Sequence, residues 1–93
     1  MLTFSSDESL PEIKVRVSGR NFLIHVLCET QRGIQVKILQ EIEKLHLSIG
    51  NTSLLPFGTS MIYLTIAAEM NDEYDMEYKD FVENLCVAIH QIR

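Results

Sequence analysis

The chain has 93 residues, a formal net charge of −5 and 46% hydrophobic residues. This length suffices for one domain with a modest core, and the hydrophobic content argues against an intrinsically disordered chain. The apolar runs are too short to span a bilayer, and no basic segment followed by an apolar one opens the chain. We therefore predict neither a membrane anchor nor a secretory signal. Cys28 and Cys86 lie in apolar patterns on different elements, which predicts two reduced core thiols.

The first ten residues show no sustained periodicity and combine serines with acidic residues, so residues 1–10 are predicted to be a flexible linker. The predicted domain occupies residues 11–93. It begins with Pro11 to Glu29, where two stretches of alternating or continuous apolar residues are separated by Gly19-Arg20. This pattern predicts two strands joined by a two-residue turn.

The turn fixes the register of the predicted hairpin. It aligns the apolar residues of the two strands in pairs: Val17 with Phe22, Val15 with Ile24 and Ile13 with Val26. The second strand also carries leucines at its alternate positions, so it is apolar on both faces. This predicts a central position in a sheet or a partner on its open side.

The rest of the chain alternates between helical and strand patterns. A helix is predicted from Ile34 to Leu45 because apolar residues recur there at helical spacing. Two strands and a second helix follow, predicted at Leu47–Leu55, Ser60–Glu69 and Asp75–Ile92. A polar middle and Gly50 predict that the first of these strands is an edge strand with a β-bulge. Pro56-Phe57-Gly58 is predicted to end that strand in a turn.

The predicted order is strand, strand, helix, strand, strand, helix. This order predicts an α+β two-layer sandwich of ferredoxin-like type, ββαββα. Its four antiparallel strands lie in the order 1-2-4-3, with the first and third strands at the edges and both helices on one face.

The negative charge is concentrated near the C-terminus. Residues 69–83 contain seven acidic side chains and one basic side chain, Lys79. Contact with nucleic acid requires clustered Lys and Arg, so we predict no direct nucleic-acid contact by this domain. The stretch lacks the spacing of a calcium loop, and we interpret it as a solvated loop and helix start. HExxH, CxxC and phosphate-binding glycine motifs are absent from the sequence, so no enzyme activity, cofactor or metal site is predicted.

Three segments in succession resemble a known family. EIKVRVSG in the first strand, CETQRG after the second, and EIEKLHLSI through LPFG are similar to the C-terminal ACT-like domain of plant basic helix-loop-helix (bHLH) transcription factors. The resemblance covers about residues 10–92. It implies a nuclear plant protein whose DNA-contacting basic region and helix-loop-helix lie upstream of this domain. It also implies an ACT-like fold that forms a homodimer or pairs with another bHLH ACT-like domain.

The ACT domains of metabolic enzymes bind amino acids, which gives an alternative function. Their signature is an Asp or Asn followed by Pro-Gly at the turn from strand to helix. Gly33 matches that glycine here, but Arg32 stands where Pro is expected and Thr30 where the acidic or amide residue is expected. We interpret Gly33 as a residue that lets the backbone turn, while a ligand turn at these three residues remains the alternative.

The dimerisation hypothesis predicts interface residues on the strands. Two geometries are open: edge strands of two copies pair into one sheet, or the open sheet faces stack. The candidate residues share the predicted face away from the helices or the predicted edge strand, and are Lys14, Arg16, Leu23, His25, Leu27 and Tyr63. In the stacked geometry His25 lies opposite Lys14, so protonation of His25 is expected to weaken the dimer below about pH 6.

Overall fold

The computed structural model describes residues 3–4 and 11–92. Their elements follow in the order β1 (Thr3–Phe4), β2 (Glu12–Ser18), β3 (Asn21–Glu29), α1 (Ile34–Lys44), β4 (Leu47–Phe57), β5 (Met61–Met70) and α2 (Tyr78–His90). The strands form one antiparallel sheet in the order β1-β2-β3-β5-β4. The four long strands therefore have the predicted order, and the predicted ββαββα architecture is confirmed.

The two-residue strand β1 was not predicted. It pairs antiparallel with β2, with Thr3 opposite Val15 and Phe4 opposite Lys14. The prediction that β2 lies at an edge of the sheet is corrected by β1, which lies beside the middle of β2. The strand lies within residues 1–10, which are predicted to be a linker. The other residues of this segment lie outside the described residues, so the linker stays a prediction.

The hairpin of β2 and β3 has the predicted register. Val17 pairs with Phe22 and Ser18 with Asn21 across the turn. Gly19 has φ 60°, a left-handed conformation that glycine adopts without the steric cost of a Cβ atom. Local turn chemistry and the alternation of apolar residues therefore specify the same pairing.

Strand β4 contains the predicted irregularity but is longer than predicted. The register shifts between Ile49 and Asn51, which places a β-bulge at Gly50. The prediction that Pro56-Phe57-Gly58 forms the terminating turn is wrong for the first two residues, since β4 runs through Phe57 and the turn begins at Gly58. Proline is compatible with an edge strand whose backbone nitrogen points away from the neighbouring strand.

The core lies between the sheet and the two helices. Each helix buries three residues at spacing of four: Ile34, Ile38 and Ile42 from α1, and Phe81, Leu85 and Ile89 from α2. They pack on the inward residues of the long strands, and no polar or charged residue among those described is buried. The large apolar residues therefore decide which face of the sheet the helices cover.

Helix α2 begins at Tyr78, three residues later than predicted. The preceding segment is held as a loop, because the Glu73 amide donates a hydrogen bond to Oδ1 of Asn71 (2.8 Å). Tyr74 packs edge-on against Phe22, with ring centroids 5.6 Å apart. Of the acidic residues in this region, Asp80 is the one that lies in the first turn of the helix.

Candidate interaction surface on the open face of the sheet

The face of the sheet opposite the helices, here called the open face, consists of alternate residues of the four long strands. Paired residues of antiparallel strands lie side by side on the same face, so the register arranges them in rows across the sheet. Rows 1 to 5 are, in order, Phe57-Met61-Glu29, Leu55-Tyr63-Leu27-Glu12, Ser53-Thr65-His25-Lys14, Asn51-Ala67-Leu23-Arg16 and Ser48-Glu69-Asn21-Ser18.

The six residues predicted for an interface, by stacking or by edge pairing, all lie on the open face. Leu27 and Tyr63 are neighbours in row 2, His25 and Lys14 are neighbours in row 3, and Leu23 and Arg16 are neighbours in row 4. The register thus brings the six candidates together on one surface. Their assignment to an interface stays a prediction.

Rows 1 and 2 form the apolar half of the open face. Leu55 and Phe57 on β4 are 57% and 58% exposed, and Met61 and Tyr63 beside them on β5 are half-buried. No helix covers these side chains, although residues of the same types on the other face form the core. An exposed cluster of large apolar residues indicates a surface that another molecule covers.

In rows 4 and 5, β4 carries the short side chains of Asn51 and Ser48 beside Ala67 of β5, and a shallow hollow lies there. A cavity of about 840 Å³ lies here, and its lining includes Ser18, Ser48, Gly50 and Ala67. The larger apolar residues of its lining are Val17, Phe22, Leu23 and Ile49. The open face therefore combines a bulky end in rows 1 and 2 with a hollow end in rows 4 and 5.

His25 lies in the middle of the open face, in contact with two side chains of β5. Its Nδ1 atom is 2.9 Å from the Tyr63 hydroxyl and 3.4 Å from Oγ1 of Thr65. The rings of His25 and Tyr63 are stacked, with centroids 5.7 Å apart. Burial lowers the pKa of His25 below its ordinary value, and the positive charges of Lys14 and Arg16 on β2 lower it further. The imidazole is therefore held in its neutral form near pH 7.

The residues that β4 adds to this surface were not among the predicted candidates. Before the bulge, Leu47 and Ile49 face the helices, whereas after it Leu55 and Phe57 share the open face with Tyr63 and Met61. A bulge of one residue shifts the alternation, so the later odd-numbered residues change faces. Gly50 was the signal in the sequence, because it predicted the bulge. A bulge there also implies that Leu55 and Phe57 change faces, and the predicted interface did not include them.

Both sheet edges have features that limit pairing with another strand. On one side, β1 occupies the edge of β2 at Val15 and Lys14. On the other side, β4 carries Pro56, which has no N–H group to donate to an added strand. The bulge at Gly50 interrupts the same edge further along. Only a short stretch of β4 between the bulge and Pro56 is regular enough for edge pairing.

The turn that carries the alternative amino-acid site has a structural role. Gly33 has φ 73° and is the N-cap residue of α1, without a side-chain cap. The Thr30 amide donates a hydrogen bond to the carbonyl of Ser60 (2.8 Å), which ties the turn to the start of β5. Arg32 is exposed. The hollow described above lies at the opposite end of the sheet, so these three residues do not line it.

Side chains suited to metal binding or nucleophilic catalysis are dispersed. The described residues contain no group of three or more His, Cys, Asp or Glu positioned to hold a metal ion. Burial raises the pKa of the Cys28 and Cys86 thiols, which disfavours the reactive thiolate form. No helix in the described part of the chain is long and apolar enough to cross a membrane.

The fold and its sequence define an ACT-like α+β domain. The family model described as the plant bHLH transcription factor ACT-like domain matches residues 12–90. The chain therefore belongs to the ACT-like domain family of plant bHLH transcription factors.

Curated relatives from Arabidopsis thaliana agree with the family assignment. The chain is 48% identical to transcription factor bHLH18 over 84 residues, which are 90% of this chain and 27% of the relative. It is 46% identical to bHLH25 over 90% of this chain and 25% of the relative. It is 38% identical to transcription factor NAI1 over 95% of this chain and 29% of the relative. The chain thus spans about a quarter of the length of these relatives. No solved structure matches it significantly.

Proposed function

We propose that this chain is the dimerisation domain of a nuclear bHLH transcription factor, and that it pairs with itself or with another bHLH ACT-like domain. The observation that carries the proposal is the apolar half of the open face. Burying Leu27, Leu55 and Phe57 against a partner would remove apolar surface from water, which is the main favourable term in protein association. The proposal assigns the domain no catalytic activity and no cofactor.

The open face is the proposed interface, in preference to the sheet edges. Edge pairing requires a run of unpaired backbone donors and acceptors. The edge of β2 is occupied by β1, and the edge of β4 is interrupted at Gly50 and Pro56. Stacking of the open faces requires no free backbone group, and it covers the large side chains that the helices leave exposed.

The charge distribution favours a protein partner over nucleic acid. The net charge is −5, and acidic residues dominate residues 69–83. A phosphate backbone would be repelled by this surface. In the full transcription factor, the DNA contacts are proposed to come from the upstream bHLH region, so this domain acts on transcription through the pairing of two chains.

Sedimentation equilibrium of this chain over a wide concentration range tests the proposal. We expect a dimer at micromolar concentrations, alone or after mixing with the matching segment of bHLH18. A chain that stays monomeric at high concentration, and that also forms no complex with the matching segments of bHLH18, bHLH25 and NAI1, would contradict the proposed function.

A further inference from the structure

We propose that two copies of this domain stack their open faces around a twofold axis that crosses the strands through row 3. In this arrangement row 2 of each copy lies over row 4 of the other, and row 1 lies over row 5. The inference rests on the proposed function and specifies its geometry. It follows from two independent complementarities between the ends of the open face, one of size and one of charge.

The size complementarity is between the bulky end and the hollow end. Rows 1 and 2 carry Phe57, Leu55 and Tyr63, which stand above the sheet, and two of these three side chains are more than half exposed. Rows 4 and 5 contain the cavity of about 840 Å³ bordered by Ala67 and Gly50. An axis across the strands places the bulky end of each copy over the hollow end of the other. The three bulky side chains Leu55, Tyr63 and Phe57 then lie over the shorter ones of Asn51, Ala67 and Ser48, as close packing requires.

The charge complementarity is along β2. Glu12 lies at the β2 end of row 2, and Arg16 lies at the β2 end of row 4. When row 2 lies over row 4, Arg16 of each copy faces Glu12 of the other, so the symmetry creates two ion pairs. Row 3 brings the two Lys14 side chains to the same edge, where their long stems allow the ammonium groups to reach solvent.

The other way to stack the two faces lacks both complementarities. A twofold axis parallel to the strands places each row over itself and β4 over β2. Leu55 of one copy then lies opposite Glu12 of the other and Asn51 lies opposite Arg16, so no ion pair forms between Glu12 and Arg16. The two bulky ends also collide while the two hollows face each other. The axis across the strands is therefore the arrangement that the open face fits.

The size of the face suits a second copy. Four strands spaced about 4.8 Å apart, with about 3.4 Å per residue over nine residues, give a projected area of roughly 600 Å² per copy. Stacking therefore buries on the order of 1,000 Å² in total, which is at the lower limit for a specific interface. This area predicts a reversible dimer whose affinity depends on the charge pairs.

Charge reversals at the two positions test the geometry by sedimentation equilibrium. Arg16→Glu and Glu12→Arg each place like charges in both pairs, and each is expected to weaken the dimer at least about tenfold. The double variant Glu12→Arg/Arg16→Glu restores both pairs and is expected to return close to wild-type affinity. An equimolar mixture of the two single variants should form a heterodimer tighter than either homodimer, since both of its charge pairs are attractive.

Arg32→Glu is the matched control for Arg16→Glu, because it changes the net charge by the same amount at an exposed position outside the open face. Circular dichroism of every variant checks that the fold is intact. This geometry is overturned if the single reversals leave the affinity of the dimer unchanged, or if the double variant binds no more tightly than the single variants. Either result would still be consistent with dimerisation. A wild-type chain that pairs only with the segments of its relatives overturns self-stacking but not the proposed function. A chain that forms no complex overturns both.

Discussion

The two faces of the sheet are formed by the same strands but differ in how much of their apolar surface is buried. On the inward face, Ile24 and Leu64 are completely buried under the helices. On the open face, Leu27 and Tyr63 remain half-buried and Phe57 is 58% exposed. Apolar residues on the inward face hold the fold together, whereas similar residues on the open face add little to it in the monomer. We infer that their contribution appears when a partner covers them.

The largest expected effect is a difference in stability between the two faces when a phenylalanine on each is replaced by alanine. Phe81→Ala removes a fully buried ring that packs 4.7 Å from Phe22, measured between ring centroids. It is expected to lower the free energy of unfolding by about 3–5 kcal/mol, from lost burial and the resulting cavity. Phe57→Ala on the open face is expected to change it by less than about 0.5 kcal/mol in the monomer. Urea unfolding at a concentration below the dimerisation range measures both. Equal losses would mean that the open face also stabilises the monomer.

The next effect concerns association. Leu27→Glu places a carboxylate in the middle of the stacked faces, over Leu23 of the other copy, where it loses contact with water. A cost of at least about 3 kcal/mol corresponds to a dissociation constant raised more than about 100-fold, while the monomer stays folded. Val36→Glu introduces the same charge at an exposed position of α1 and serves as the control. A Leu27→Glu chain that dimerises like the Val36→Glu chain would show that the open face is not the interface.

A smaller effect is expected from pH. The pKa of His25 lies below its ordinary value of 6.5, so the folded chain favours the neutral imidazole, and covering the open face strengthens this preference. The dissociation constant should therefore be constant above about pH 6.5 and rise as the pH falls towards about 5, because dissociation then takes up a proton. His25→Gln removes the titrating group and should flatten the profile between these values. An unchanged slope in His25→Gln would assign the effect to another group.

The smallest effect is expected at the edge of β4. We infer that the backbone nitrogen of Pro56 points away from β5. Thr52 precedes Pro56 by four residues in the same strand, so its N–H group points in the same direction, away from β5. Thr52→Pro is therefore expected to keep the bonds to β5 and to leave the stacked dimer unchanged in sedimentation equilibrium. Loss of dimerisation in a folded Thr52→Pro chain would favour pairing through this edge instead.

Much of the fold could be predicted because its signals are local. Gly19 fixes the turn and thereby the register of β2 with β3, and this register places Leu23, His25 and Leu27 on the open face. The spacing of apolar residues in α1 predicted its bounds to within one residue. The six predicted interface candidates lie together because alternation within a strand already separates the two faces.

The remaining features were decided by tertiary structure. Pairing with β5 extends β4 through Phe57, and the bulge at Gly50 turns Leu55 and Phe57 towards the open face. Strand β1 is set by its place beside β2, since two residues carry no periodic signal of their own. The late start of α2 accompanies the packing of Tyr74 against Phe22.

The sequence by itself therefore determined the four long strands, the two helices, the core and the family, because each is encoded by spacing along the chain. Tertiary structure alone decided that Leu55 and Phe57 of β4 stay uncovered. That depends on the register of an edge strand and on the area that two helices can cover, and neither quantity is a property of a single element.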